Sequence, residues 1–193
     1  MNRPVLLAFA VCVTLSSCTK KAETAADPVP VKETVAGVGL IDYDSSKGAF
    51  TCRAPGVWKA REDSAAADDN VTFIGQLSDS RLAFIDILQY PGSTKQWSDA
   101  QKYAESFWEV TPDNKAPALE KKTIGDKEVI VFHYEKPFRK LHSTKIEYML
   151  RLDYALIPVK GGFFELWHTA PTDRYQETLP VFEAVVRSFK PKI

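Results

Sequence analysis

The sequence predicts an α+β fold built on an antiparallel sheet, and three observations predict it. Apolar residues alternate with polar ones in several short stretches, the period-two signature of strands. Neighbouring stretches are joined by connections too short to hold a crossover helix, so they pair antiparallel. Only two stretches show helical spacing, one mid-chain and one at the C-terminus, whereas a parallel doubly wound sheet needs a helix between most strands. Each of these two carries a single apolar face, so a sheet is the surface that receives them.

Taken in order, the folded part begins near Leu40-Ile41-Asp42-Tyr43. Phe50, Cys52 and Ala54 alternate as a strand that ends at the Pro55-Gly56 turn, with Trp58 returning as a lid on the core. A polar loop from Glu62 to Asn70 follows, and Asp68-Asp69-Asn70 within it reads as a solvated turn lacking the further ligands of a calcium loop. Val71 to Leu77 and Leu82 to Tyr90 form a hairpin across Ser78-Asp79-Ser80-Arg81. From Trp97 the spacing changes: Trp97, Ala100, Ala104, Phe107 and Trp108 recur at three and four, one face of a helix, with Ser98 and Gln101 as its capping box. The two tryptophans serve either as a ligand platform or as the face buried over the sheet. Pro112 and Pro117 break the chain after Val110.

The second half repeats the strand style. Ala118 to Ile124, the Gly125-Asp126-Lys127 turn and Val129 to Glu135 make a second hairpin, and Lys136-Pro137-Phe138-Arg139-Lys140 reads as a basic loop. Ile146, Tyr148, Leu150, Leu152 and Tyr154 alternate on one strand face, Pro158 and Gly161-Gly162 turn the chain, and Phe163 to Ala170 returns as the last strand. Leu179, Phe182, Val185, Val186 and Phe189 mark a terminal amphipathic helix with Pro180 in its first turn.

Ahead of this domain, Arg3 precedes the apolar run from Val5 to Val13, and Leu15-Ser16-Ser17-Cys18 follows. That is a basic n-region, an h-region and small residues, the pattern of a secretory leader, and the run is far short of the ~20 residues that span a bilayer. A cysteine directly after Leu-Ser-Ser resembles the lipobox of bacterial lipoproteins. The resemblance implies cleavage between Ser17 and Cys18 and acylation of Cys18, with membrane lipid as its partner; an ordinary secretory signal ending in a cysteine is the alternative. More than one acyl chain holds a protein firmly, while a single chain binds marginally. Thr19 is not an aspartate, which by the same resemblance implies the outer membrane, facing the periplasm. Residues 1–17 are thus the expected leader, 18–38 a lipidated cysteine with a Pro-containing linker, and 39–193 the domain. A twenty-residue linker spans ~30 Å as a coil and ~65 Å at full stretch.

Composition narrows the partners. The 193 residues carry 25 basic and 25 acidic groups, and loss of Arg3 with the leader leaves a net charge of minus one. This gives no support for nucleic acid, which selects a clustered basic face. A domain of roughly 150 residues buries ~70% of its unfolded surface, enough for one core. Of the three cysteines, Cys12 leaves with the leader and Cys18 is taken by lipid. Cys52 then has no disulfide partner and is either a reactive thiol or, by its strand alternation, a small core residue.

No motif for a reaction stands out. There is no Gly-x-Ser-x-Gly elbow and no phosphate-cradling glycine loop. His133, His142 and His168 lack the paired spacing of zinc ligands. Glu165 and His168 could share a metal only on an irregular strand, because an odd spacing sends them to opposite faces of a regular one. Phe138 with Arg139, Lys140, Lys145 and Lys136 forms the candidate partner surface, able to dock an acidic partner or lipid headgroups; a plain soluble sheet edge is the alternative.

The order of elements resembles the PsbP-like family, named for an extrinsic protein of photosystem II and sharing its fold with the Ran-binding Mog1 proteins. The matching residues are Gly48-Ala49-Phe50 with Pro55 and Trp58, the helix around Ala100 to Trp108, the Ile124-Gly125 hairpin leading to Val129 through Tyr134, and Val185-Val186-Arg187-Ser188-Phe189. They cover roughly residues 47 to 191 and are mostly core and turn positions. The resemblance implies an α/β/α sandwich, a central antiparallel sheet flanked by helices, and no photosynthetic role or cofactor site transfers residue by residue. The expected function is a membrane-tethered, non-enzymatic binding or assembly lipoprotein of the cell envelope, with an envelope protein as partner and no cofactor. The alternatives are an envelope hydrolase with an unrecognised site and a carrier of a small apolar ligand.

Overall fold

Eleven strands and two α-helices are formed by residues 33–63, 69–91, 99–109 and 117–192, the residues that the computed structural model describes. A seven-stranded sheet runs in the order β4 (Lys59–Glu62), β5 (Asn70–Gln76), β6 (Leu82–Pro91), β10 (Gly162–Pro171), β9 (Tyr148–Val159), β8 (Lys127–Phe138), β7 (Glu120–Ile124). A smaller sheet runs β1 (Glu33–Val35), β2 (Val38–Asp44), β3 (Phe50–Pro55), β11 (Lys190–Pro191). Every pairing in both is antiparallel.

Alternation explains the layering. On β10, Phe164, Leu166 and His168 point to one face of the large sheet, while Phe163, Glu165 and Trp167 point to the other. The first face is covered by α2 (Tyr175–Ser188) together with the small sheet, so Phe50 of β3 stacks on Phe189 with ring centres 5.1 Å apart and meets Phe164 at 6.0 Å. The second face carries Ile130, Phe132, Leu152, Tyr154 and Leu156 under the short helix α1 (Ala100–Glu105) and its 3-10 extension Ser106–Glu109. The α+β, antiparallel expectation therefore matches. The finer picture of a single sheet flanked by helices is met only in part, because a second sheet shares one face with α2.

Several local details differ from the sequence reading. The first strand begins at Glu33, inside the expected linker, and turns into β2 through Ala36 and Gly37, both with positive φ (48° and 78°), as a tight two-residue hairpin requires. Short β4 and β11, not expected, pair at sheet edges. Strand β8 continues through Pro137 to Phe138 instead of breaking into a loop; past Val131 it has no β7 pair, and proline is tolerated on such an edge. Asp99, not Ser98, caps α1, accepting a 2.9 Å bond from the Lys102 amide; Ser98 and Trp97 lie outside the described residues. Tyr103 joins Ala100, Ala104 and Phe107 on the buried face. Helix α2 starts at Tyr175, so Pro180 sits beyond the first turn and removes one intrahelical bond. Its C-terminus is stapled to β3 by Ser188, whose hydroxyl donates to the Ala184 carbonyl at 2.8 Å and accepts from the Arg53 amide at 2.9 Å.

Trp58 does cap the core, and one glycine makes room for it. A Cβ on Gly75 would stand 2.2 to 2.6 Å from three atoms of the Trp58 ring, far inside contact distance. Gly75→Ala is expected to push the indole off β5 and to cost about 1–3 kcal/mol, as overpacking does; urea denaturation followed by tryptophan fluorescence measures both effects.

Candidate binding surfaces

Two titratable side chains on β10 are fully buried, and the strand separates them. Glu165 faces α1, where the Tyr103 hydroxyl lies 2.9 and 3.0 Å from its two carboxylate oxygens, and the Tyr90 hydroxyl lies 3.2 Å from that of Tyr103. Burial pushes the Glu165 carboxyl up to about 7, opposed by the tyrosine hydrogen bonds and reinforced by Asp86. Next to it, Trp167 donates from Nε1 to Asp86, which also accepts from Thr72 at 2.5 Å. His168 faces α2 instead, with Nε2 2.8 Å from the Thr178 hydroxyl and its ring stacked on Phe182 at 5.5 Å. Burial holds the imidazole down at about 4. The odd spacing thus puts the two on opposite faces, as a regular strand requires. Among the described residues no three His, Cys, Asp or Glu side chains gather as a metal site.

On the α2 face, register sets His133, Asp153 and His168 in one row across β8, β9 and β10. The row runs from an exposed imidazole into the core. Its outer half borders an open groove of about 490 Å³ between α2 and the β7–β8–β9 edge. Val131, Ala155, Leu179, Phe182 and Val186 give the groove an apolar floor. Its rim is charged on both sides: Lys122 with Glu120 at 2.9 Å, and Arg151 with Asp153 at 3.3 Å. Arg151 also lies over the Tyr175 ring, 4.4 Å from its centre. Toward the C-terminus of α2, Lys127 donates to the Arg187 carbonyl at 3.2 Å, a favourable place for a cation. Two other hollows, of about 570 and 580 Å³, are lined by charged and polar residues among apolar ones, including Glu33, Asp44 and Arg53 in one and Arg61, Asp63 and Asp86 in the other.

The candidate partner surface lies elsewhere, on the hairpin of β8 and β9. Phe138 is half-buried against Tyr148, with ring centres 4.6 Å apart, while Lys136, Arg139, Lys140 and Lys145 are exposed. Lys140 reaches Glu147 at 2.9 Å. Cys52 is a buried core residue whose thiol burial pushes up to about 12, so it is not a reactive site. Asp69 is buried and accepts from the Ala49 amide at 3.3 Å, so it is part of the framework and not a solvated turn. Ser17, Cys18, Asp68 and the cleavage point lie outside the described residues. The groove escaped sequence reading because its walls come from β7, β8, β9 and α2, which are distant in sequence.

No protein-family model matches the chain, and no curated protein does. Among solved structures it is similar to the cyanobacterial PsbP protein (CyanoP) of Synechocystis, at 15% identity and a TM-score of 0.50, over 79% of this chain and 92% of that one. A protein of Bacteroides thetaiotaomicron aligns at 14% identity and a TM-score of 0.48 over 79% of this chain, which spans about half, 48%, of that protein's length. LpqN of Mycobacterium tuberculosis, described as involved in cell envelope biogenesis, aligns at 10% identity and a TM-score of 0.47, over 82% of this chain and 96% of that one. At these identities the likeness concerns the fold, which is PsbP-like.

The two buried groups have opposite effects on stability. Glu165 keeps its proton in the folded state between about 4.5 and 7 while the unfolded chain loses it, so stability falls as pH rises through that window. Glu165→Gln removes this slope and retains an acceptor for Tyr103. The stability of the variant relative to the parent is expected to grow by about 1.4 kcal/mol per pH unit between these limits. His168→Gln should gain relative to the parent as pH falls from 6.5 to about 4, where the parent must keep a neutral imidazole that the unfolded chain protonates. Urea denaturation across pH 4 to 8 reads both differences, and a flat difference for either variant contradicts its assignment.

Proposed function

We propose that this chain is a lipid-tethered, non-enzymatic binding module of the bacterial cell envelope, held through acylated Cys18 at the outer membrane and facing the periplasm. The groove between α2 and the β7–β8–β9 edge is the observation that carries the binding role: an apolar floor open to solvent and framed by paired charges suits an apolar-faced segment of an envelope protein. The secretory leader and the Leu-Ser-Ser-Cys pattern support the location. Sequestration of Glu165 and His168 in separate cores supports a role without chemistry, since a reaction needs its acids and bases to converge on one reachable atom. The floor also favours a second reading, in which the groove carries a small apolar ligand.

A photo-crosslinking residue at Leu179 is expected to give a covalent adduct with one envelope protein in intact cells, weakened by Val186→Asp in the floor. Native mass spectrometry of the purified chain separates the readings: a co-purified small molecule, with no protein adduct, favours the carrier. Cys18→Ser should move the chain out of the detergent-extracted membrane fraction. If the variant still partitions with lipid after its leader is removed, the tether is wrong.

A further inference from the structure

Four of the five large apolar side chains most exposed among the described residues stand at one end of the seven-stranded sheet. Leu141 is 86% exposed, Ile146 48%, Leu82 46% and Met149 37%. Three of them belong to the β8–β9 hairpin. The last pair linking β9 to β10 is Leu150 with Pro171, yet β8 and β9 continue pairing through Pro137 with Met149 and Phe138 with Tyr148. The tip beyond is therefore two strands wide and leaves the main sheet. Phe138 stacked on Tyr148 stiffens its neck, and the Arg81 guanidinium lies 5.0 Å from the centre of the Tyr148 ring. His142 turns the tip with a φ of 65°.

The same segment is strongly basic within a chain of no net charge. From residue 136 to 149 it holds Lys136, Arg139, Lys140 and Lys145 against a single acid, Glu147. Near its neck, Asp79 and Asp173 are both bound by Arg81, at 2.6 and 2.7 Å, and Glu135 stands opposite Arg151 on the neighbouring strand. Exposed apolar side chains interspersed with exposed cations along one hairpin match the boundary between acyl chains and anionic headgroups. We propose that the β8–β9 tip rests on an anionic bilayer surface, Leu141 and Ile146 in the headgroup boundary and Arg139 and Lys145 against lipid phosphates. The proposal rests on the Cys18 tether, which keeps the tip at high local concentration near the bilayer. The contact fixes the orientation of the domain, and it weakens with salt as exposed charges are screened.

The test uses the mature, lipidated chain carrying Leu141→Cys labelled with an environment-sensitive nitrobenzoxadiazole dye, since Cys18 is acylated and Cys52 is buried. On vesicles of phosphatidylcholine with a minor fraction of phosphatidylglycerol, label emission should rise severalfold and be quenched by nitroxide lipids. It should fall back on pure phosphatidylcholine, in high salt, and with Arg139→Glu plus Lys145→Glu. A label introduced by Lys160→Cys, at the opposite end of β9, should stay water-like throughout. An anchored chain whose tip label also stays water-like overturns the proposal and leaves the tether standing. A tip label that responds only in native envelope membranes, not in protein-free vesicles, assigns the tip to a protein partner and likewise overturns it. A chain that leaves the vesicles altogether overturns the tether and the tip contact together.

Discussion

Burial of β10 on both faces is the constraint from which the rest of the structure follows. A strand in that position has no solvent side, so every side chain must be apolar or find its partner inside. Phe163, Phe164 and Leu166 meet the first condition, Glu165 and Trp167 meet the second, and His168 meets it at Nε2 alone, its buried Nδ1 having no hydrogen-bond partner. The two helices are the providers. Tyr103 of α1 supplies the hydroxyl for Glu165, and Thr178 of α2 supplies the one for His168. Each helix is thereby tied to the same strand by one polar contact, on top of its apolar face. An apolar face alone tolerates sliding by a turn, whereas a buried carboxyl left without its tyrosine does not.

That arrangement also balances the pH response. Between about 4.5 and 6.5 the folded chain holds one proton more than the unfolded at Glu165 and one fewer at His168. Their contributions to the pH slope of stability oppose each other there.

Much of the fold was legible, and the reasons are local. The β5–β6 hairpin, the Gly125-Asp126 turn and α2 show in sequence because alternation, a short turn and three-four spacing are properties of neighbouring residues. The opposite placement of Glu165 and His168 needs only parity. Edge strands are different: Glu33–Val35, Lys59–Glu62 and Lys190–Pro191 are too short or too polar to alternate, and exist because a neighbour offers its open side. Pro137 reads as a break, yet its strand has a free side there. Asp69 reads as solvated because a carboxylate usually is, and only the folded chain brings the Ala49 amide to it. The groove and the tyrosines around Glu165 join residues from distant strands and helices, so no local pattern marks them.

Strand length alone sets the β8–β9 tip apart. Each of these strands has 12 residues, against 10 in β10 and 5 in β7, so part of the pair has nothing beside it. Residues there add little to either core, and selection for stability alone would favour a short polar turn, since exposed apolar side chains and an unpaired strand edge invite aggregation. Leu141, Ile146 and Met149 occur there all the same, grouped and not scattered, with cations around them. Stability is supplied by the double burial of β10, and the overhanging hairpin is free of that duty. A feature that costs solubility without adding to the core is best explained by what it touches outside the chain.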